Sequence, residues 1–343
     1  MLRLTNRARV RRAIGMTRGP TARQTPDWED FQREQLGPSV AEERSVSSML
    51  WGRLAASDQA EIERRVEALP ELELPAYDPD DPSRRRPLLL SYAMWLGMPA
   101  VAEKTQLPSV QPPEHIHTMA RGPLAAAGGL YEADMTLDAL RSVGIDLDPG
   151  QSALDFGCSS GRVVRVFAAA YPGVRWFGCD PNEQAIAWAK TNLPGIEFFA
   201  NDQAPPLPFE DGSFDLVYGM SIWSHFAPVL GFRWLDEMHR LLRPGGNLVW
   251  TTHGLASISL AAAQDRREPD QCREIVQALY RRGWWYASEF GRQGDWGVIN
   301  EAWGTAFLSP EWVLTNLCPA WRVRVFAPGR YQENQDLWVL ERV

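Results

Sequence analysis

From Gln151 onward, short apolar runs alternate with amphipathic stretches of about ten to fifteen residues, the rhythm of strand and helix units around a parallel sheet. The pattern predicts strands at SALDF (152–156), RWFGC (175–179), IEFF (196–199), FDLVYG (214–219) and GNLVWTT (246–252). It predicts helices through VVRVFAAAY (163–171), EQAIAWAKTNL (183–193) and FRWLDEMHRLLR (232–243). Right-handed crossovers would then place every strand's C-terminal end on one edge, where the following loops build a shared site. WRVRVF (321–326) and DLWVLERV (336–343), separated by Pro and Gly, predict an antiparallel pair that closes the sheet. The fold class is α/β, a doubly wound, mostly parallel sheet with a C-terminal antiparallel strand, a helical N-terminal extension, and an insertion (255–320) before the last strands.

Upstream, apolar positions between Val40 and Leu69 fit one or two amphipathic helices ended by Pro70. Residues 70–87 are dense in proline and charge and read as a linker, followed by short helices over 88–101 and 122–143. This divides the chain into a basic arm (1–45), a helical accessory segment with a Pro-rich linker (46–114) and a main domain (115–343).

Composition sets bounds on this picture. With 343 residues, 45% of them hydrophobic, the chain can bury a sizeable core, so general disorder is excluded. The 35 basic and 43 acidic residues give a net charge of −8, which disfavours a nucleic-acid partner. Four scattered cysteines without a Cys-x-x-Cys pair suggest neither a disulfide framework nor a zinc knuckle, and a reducing cytoplasm fits. No apolar run reaches the ~20 residues of a membrane span. Arg3, Arg7, Arg9, Arg11, Arg12 and Arg18 make a basic arm without the apolar core of a signal peptide.

The candidate chemistry begins where the first predicted strand runs into Asp155, Phe156, Gly157, Cys158, Ser159, Ser160, Gly161 and Arg162, directly before a helix. Small residues here allow a tight turn and close approach to a ligand, while free amides at the helix start face it. Asp180 ends the second strand, where a carboxylate can accept hydrogen bonds from ribose hydroxyls. The Gly-x-Gly-x-x-Gly spacing of dinucleotide sites is absent, and Asp155 would repel a pyrophosphate but suit an ammonium group, so the ligand expected is a nucleoside bearing an amino acid.

These residues resemble class I S-adenosylmethionine-dependent methyltransferases, whose first motif is commonly Leu-Asp-x-Gly-Cys-Gly-x-Gly-Arg. Residues 154–162 follow it, with Ser159 in place of the middle glycine. The resemblance continues through Cys179, Asp180 and Pro181, through Asn201 and Asp202, through residues 206–209 and 213–218, and through Leu241 to Gly246, and covers about residues 115–343. It implies a Rossmann-like fold and S-adenosylmethionine as cofactor. Gly157, Ser159 and Gly161 would pass under the methionine part and ribose, with Asp155 near the ammonium group. Asp180 would hold the ribose, Asp202 and Gln203 the adenine edge, and Ser221, after the fourth strand, would also belong to the cofactor site.

Methyl transfer from a sulfonium needs alignment and, for a hydroxyl acceptor, a base. His225 and His253 follow the fourth and fifth strands and are the candidate catalytic residues, each with a structural role as the alternative. His115 and His117 precede the core, without the further ligands a metal site needs. The Asn-Pro-Pro-Tyr stretch of base-amino methyltransferases is replaced here by Gly219, Met220, Ser221 and Ile222. Six of the 15 tryptophans fall between Trp284 and Trp321. Trp284, Trp285, Trp296 and Trp303 are the candidate acceptor-binding residues, with packing of a small satellite core as the alternative. The expected reaction is methyl transfer to a small-molecule or saccharide hydroxyl. Nitrogen or protein side-chain methylation, and cofactor binding without catalysis, stand as rivals.

Overall fold

The computed structural model describes residues 45–69, 82–116, 124–288, 299–300 and 302–343. Residues 1–44 of the expected basic arm, His117 and Trp296 lie outside the described residues. Among the described residues no helix is long and apolar enough to cross a membrane.

Helices α1 (Val46–Trp51) and α2 (Ala56–Glu67) occupy the first amphipathic stretch, and the Ser45 hydroxyl caps α1 by accepting the Ser48 amide at 3.0 Å. Helix α3 (Pro82–Trp95) begins before the expected end of the linker. Its second proline, Pro87, forfeits a backbone hydrogen bond, but burial of Leu89, Leu90, Ala93 and Met94 offsets that loss. Gly97, at φ 61°, separates α3 from α4 (Pro99–Thr105), and α5 (Leu124–Arg141) leads into the sheet. Val46, Leu50, Ile62, Leu90 and Val101 share one core with Leu130 and Leu137 of α5 and with residues on one face of the sheet. The helices upstream of the sheet are therefore one of its covering layers.

The strands β1 (Ser152–Phe156), β2 (Arg175–Asp180), β3 (Ile196–Ala200), β4 (Phe214–Gly219) and β5 (Leu242–His253) run parallel in the order β3-β2-β1-β4-β5. They are joined through α6 (Val164–Ala170), α7 (Glu183–Asn192) and α8 (Pro228–Leu241), as the apolar rhythm predicts. Near the C-terminus, β8 (Trp321–Tyr331) pairs antiparallel with β9 (Gln335–Arg342), and β9 lies antiparallel along β5 from Asn247 to His253. The second face of the sheet packs on α8 through Phe156, Trp223, Trp234, Trp250 and Trp338, so much of the tryptophan excess is ordinary core.

The insertion holds more regular structure than its sequence suggests. It contains α9 (Leu255–Ala263), α10 (Pro269–Arg282), two short strands, β6 (Trp284–Ala287) and β7 (Thr305–Leu308), and α11 (Pro310–Asn316). β4 pairs with β5 only up to Trp250, whereas β9 follows the other side of β5 as far as His253. β7 pairs with β5 at His253. Since β9 already occupies one side there, β7 takes the side that β4 has vacated. With β6 antiparallel beside it, β7 forms an upper tier over the strand ends.

Candidate functional site

The turn between β1 and α6 combines three left-handed residues, Gly157 at φ 80°, Ser159 at φ 50° and Gly161 at φ 80°. A Cβ on Gly157 would lie 2.3 Å from Ile222 Cδ1, and one on Gly161 would lie 2.6 Å from Leu193 and 2.9 Å from Phe198. Both glycines are thus required by conformation and by contact, whereas Ser159 tolerates a conformation that asparagine or glycine adopts more readily. Gly161→Ala is expected to lower the unfolding free energy by about 2 kcal/mol through overpacking and strain. Urea denaturation checks this, and an unchanged midpoint would refute it.

Two carboxylates shape this turn from different sides. Asp180 Oδ2 accepts the Ser159 amide at 2.9 Å and Oδ1 accepts the Asn182 amide at 2.8 Å. Each oxygen retains a second lone pair for a ligand hydroxyl. Burial pushes the Asp180 carboxyl up to about 6, opposed by those two amides. Asp155 is buried beneath the turn, where Oδ2 accepts the Val164 amide at the start of α6 at 3.2 Å, with the Tyr218 hydroxyl beside it. Burial pushes Asp155 to about 7. It shapes the turn from below while Asp180 braces its other side.

Phe156, Gly157, Pro181, Asn201, Asp202, Gln203, Ile222, Phe226, Trp234 and Trp303 line a narrow cleft at the ends of β1 to β4. Its walls offer apolar faces from Pro181, Ile222 and Phe226. Asn201 donates to the Asp202 carbonyl at 2.6 Å, yet its Oδ1 is buried without a hydrogen-bond partner. An apolar slot, an unpartnered acceptor, and a braced carboxylate behind a glycine turn suit the flat base and the ribose of an adenosyl group.

Residues 153–246 match the family described as methyltransferase domain. Over these residues the chain carries a methyltransferase domain. A phthiotriol/phenolphthiotriol dimycocerosates methyltransferase of Mycobacterium ulcerans is 36% identical over 104 residues, covering 30% of this chain and 37% of the relative. A fatty-acid O-methyltransferase of Mycolicibacterium smegmatis is 34% identical over 104 residues, with the same 30% and 37% coverage. The chain thus spans less than half the length of these curated relatives. A crystal structure of a methyltransferase from Methanosarcina mazei superposes with a TM-score of 0.43 at 20% identity, covering 57% of this chain and 94% of that one. The methyltransferase domain takes S-adenosylmethionine as its cofactor; Gly157, Asn201 and Asp202 line the cleft at its strand ends, and Asp180 braces the glycine turn beside it.

The other expected residues of the methyltransferase domain fall into distinct settings. Ser221, at φ 60°, receives a hydrogen bond from Gln335 Nε2 on Oγ at 2.8 Å and donates its amide to Thr251 Oγ1 at 2.8 Å. Thr251 in turn donates to Gln335 Oε1 at 2.7 Å, so these three residues tie the β4 turn to β5 and β9. Gln335 Nε2 also lies 3.3 Å from His253 Nε2, and His253 Nδ1 lies 3.2 Å from the Ala306 carbonyl. Both ring nitrogens of His253 are engaged, and burial together with the neighbouring His225 pushes its basicity down to about 3. His225 places Nδ1 2.8 Å from the Gly304 carbonyl and stacks on Trp303. Burial lowers its pKa as well. The two rings stand 6.2 Å apart. Gln203 donates to the Ile299 carbonyl at 3.1 Å, while His115 is exposed.

Of the candidate tryptophans, Trp303 lines the cleft, with its ring edge-on to Phe226. Trp284 and Trp285, adjacent on β6, enter different clusters. Trp284 packs on the core shared with α8, while Trp285 is buried among Ile275, Leu279 and Phe307 and donates to Glu274 at 2.9 Å. Their places follow from strand alternation, which sends neighbours to opposite faces. Asn201 and Gln335 had not been singled out as site residues. Asn201 stands directly beside Asp202, and Gln335 is revealed only by the pairing of β9 with β5.

Proposed function

We propose that this protein transfers the methyl group of S-adenosylmethionine to a hydroxyl of a small-molecule or saccharide acceptor. The upper tier of β7 and β6 carries the reading. Backbone pairing of Ala227 with Ala302, of His225 with Gly304 and of Ser224 with Ala306 fixes it over the strand ends, beside the cleft that Trp303 lines. The fatty-acid and phthiotriol relatives, named for lipid-type acceptors, support a small-molecule substrate. When bound, S-adenosylmethionine supplies an activated methyl group on a sulfonium. The chain's own residues align the acceptor and manage its proton. His225, donating through Nδ1 to Gly304, holds the tautomer whose Nε2 is the proton-accepting nitrogen, and the His253 ring stands 6.2 Å from it. Trp303 offers an aromatic face for the acceptor. Incubating the protein with methyl-labelled cofactor and hydroxylated acceptors, then following product mass and alkaline stability, is expected to show ether or ester products. Label found only on amines or protein side chains would overturn the reading.

A further inference from the structure

A second cavity, of about 400 Å³ and open to solvent, lies beyond His253 and is lined by Ser257, Arg266, Arg267, Gln271, Phe307 and Asn334. It opens on the strand-end edge, because His253 ends β5 and Asn334 immediately precedes β9. His253 forms part of its wall, and the His225 ring 6.2 Å away stacks on Trp303 of the cofactor cleft. The histidine pair therefore stands between the two cavities.

Two guanidinium groups face this cavity without a carboxylate partner among the described residues. The Arg267 guanidinium sits 5.3 Å from the centre of the Phe307 ring and 5.9 Å from that of Trp285. Those rings hold it in place while leaving its donors for a ligand. The acids nearby do not neutralise the pair. Asp270 pairs with Arg273, Glu274 accepts the Trp285 indole N–H, and Asp265 and Glu268 are exposed without an ion pair to either arginine. Side-chain donors of Gln271 and Asn334 add neutral hydrogen bonds.

We propose that this pocket binds an anionic group of the methyl acceptor, a carboxylate or a phosphate, between Arg266 and Arg267. This rests on the reading of the strand-end edge as the place of methyl transfer. Planar guanidinium forks match both oxyanions and gain strength from the charge of the ligand. An acceptor anchored there extends its other end past His253 toward His225 and the cofactor cleft.

The test is calorimetric titration of the full chain, saturated with S-adenosylhomocysteine, with benzoate, inorganic phosphate and benzamide. At least one anion is expected to bind, with benzamide at least 10-fold weaker than benzoate if the carboxylate is the ligand. Benzoate binding alone assigns a carboxylate, and phosphate binding alone assigns a phosphate. Arg266→Gln, on an exposed side chain, and the conservative Arg267→Lys should each weaken the anion at least 10-fold while S-adenosylhomocysteine affinity stays within 2-fold. Absence of anion binding, equal binding of benzamide and benzoate, or anion affinities unchanged in both variants overturns the pocket assignment and leaves the cofactor reading intact. Failure of S-adenosylhomocysteine to bind the wild-type chain instead overturns the methyltransferase reading, and this assignment with it.

Discussion

Glu132→Ala is expected to lower the unfolding free energy by about 3 kcal/mol. Glu132 is nearly inaccessible on α5, and its Oε2 accepts Arg162 Nη1 at 2.7 Å while its Oε1 accepts the Tyr331 hydroxyl at 2.6 Å. Arg162 follows the glycine turn directly, and α5 lies so close to it that a Cβ on Gly129 would fall 2.3 Å from the Arg162 carbonyl. Removing the carboxylate strands a largely desolvated guanidinium and an orphaned hydroxyl. Loss of such a partner costs far more than a surface ion pair, which contributes under about 1 kcal/mol. Urea denaturation measures the loss. A change below 1 kcal/mol would show that the pair contributes little to the fold, and Glu132→Gln, which keeps the tyrosine hydrogen bond, should recover part of the deficit.

Asp180→Ala is expected to weaken S-adenosylhomocysteine by about 10- to 100-fold, the scale of one hydrogen bond to a charged group, about 1.5 to 3 kcal/mol. Two effects add. The carboxylate would no longer meet the ribose hydroxyls, and the Ser159 and Asn182 amides would lose their common acceptor. Asp180→Asn separates the two, because an amide oxygen can still accept from one backbone amide but lacks the charge. Calorimetric titration decides, and unchanged affinity in both variants would remove Asp180 from the cofactor site.

The parts legible in the sequence are those whose physical signal is local. Each of the five parallel strands is a compact apolar run bounded by turn residues, and the glycine turn with Asp180 follows from backbone conformation and spacing alone. What escaped depends on contacts distant in sequence. β6 and β7 are four-residue strands, WWYA and TAFL, whose identity is set by pairing with each other and with the tip of β5. The start of α3 was hidden because proline and charge over 82–87 mimic a linker until the buried face of Leu89 to Met94 is set against the core. Side-chain direction was equally invisible. Trp285 supports Arg267 from beneath and Trp303 lines the cleft, a distinction that tryptophan content does not carry. The histidine tautomers likewise follow from carbonyls 53 and 79 residues away in the chain.

The tier of β7 and β6 has a thermodynamic consequence. It is held by a strand ladder and by backbone bonds to residues 224–227, so the wall that we propose faces the acceptor takes its shape when the chain folds. The entropy of ordering that wall is lost once, at folding, and binding an acceptor does not lose it again. Selectivity along this edge then rests on how closely an acceptor matches a surface already formed, and two acceptors of unequal fit differ in affinity by the contacts and charges they make.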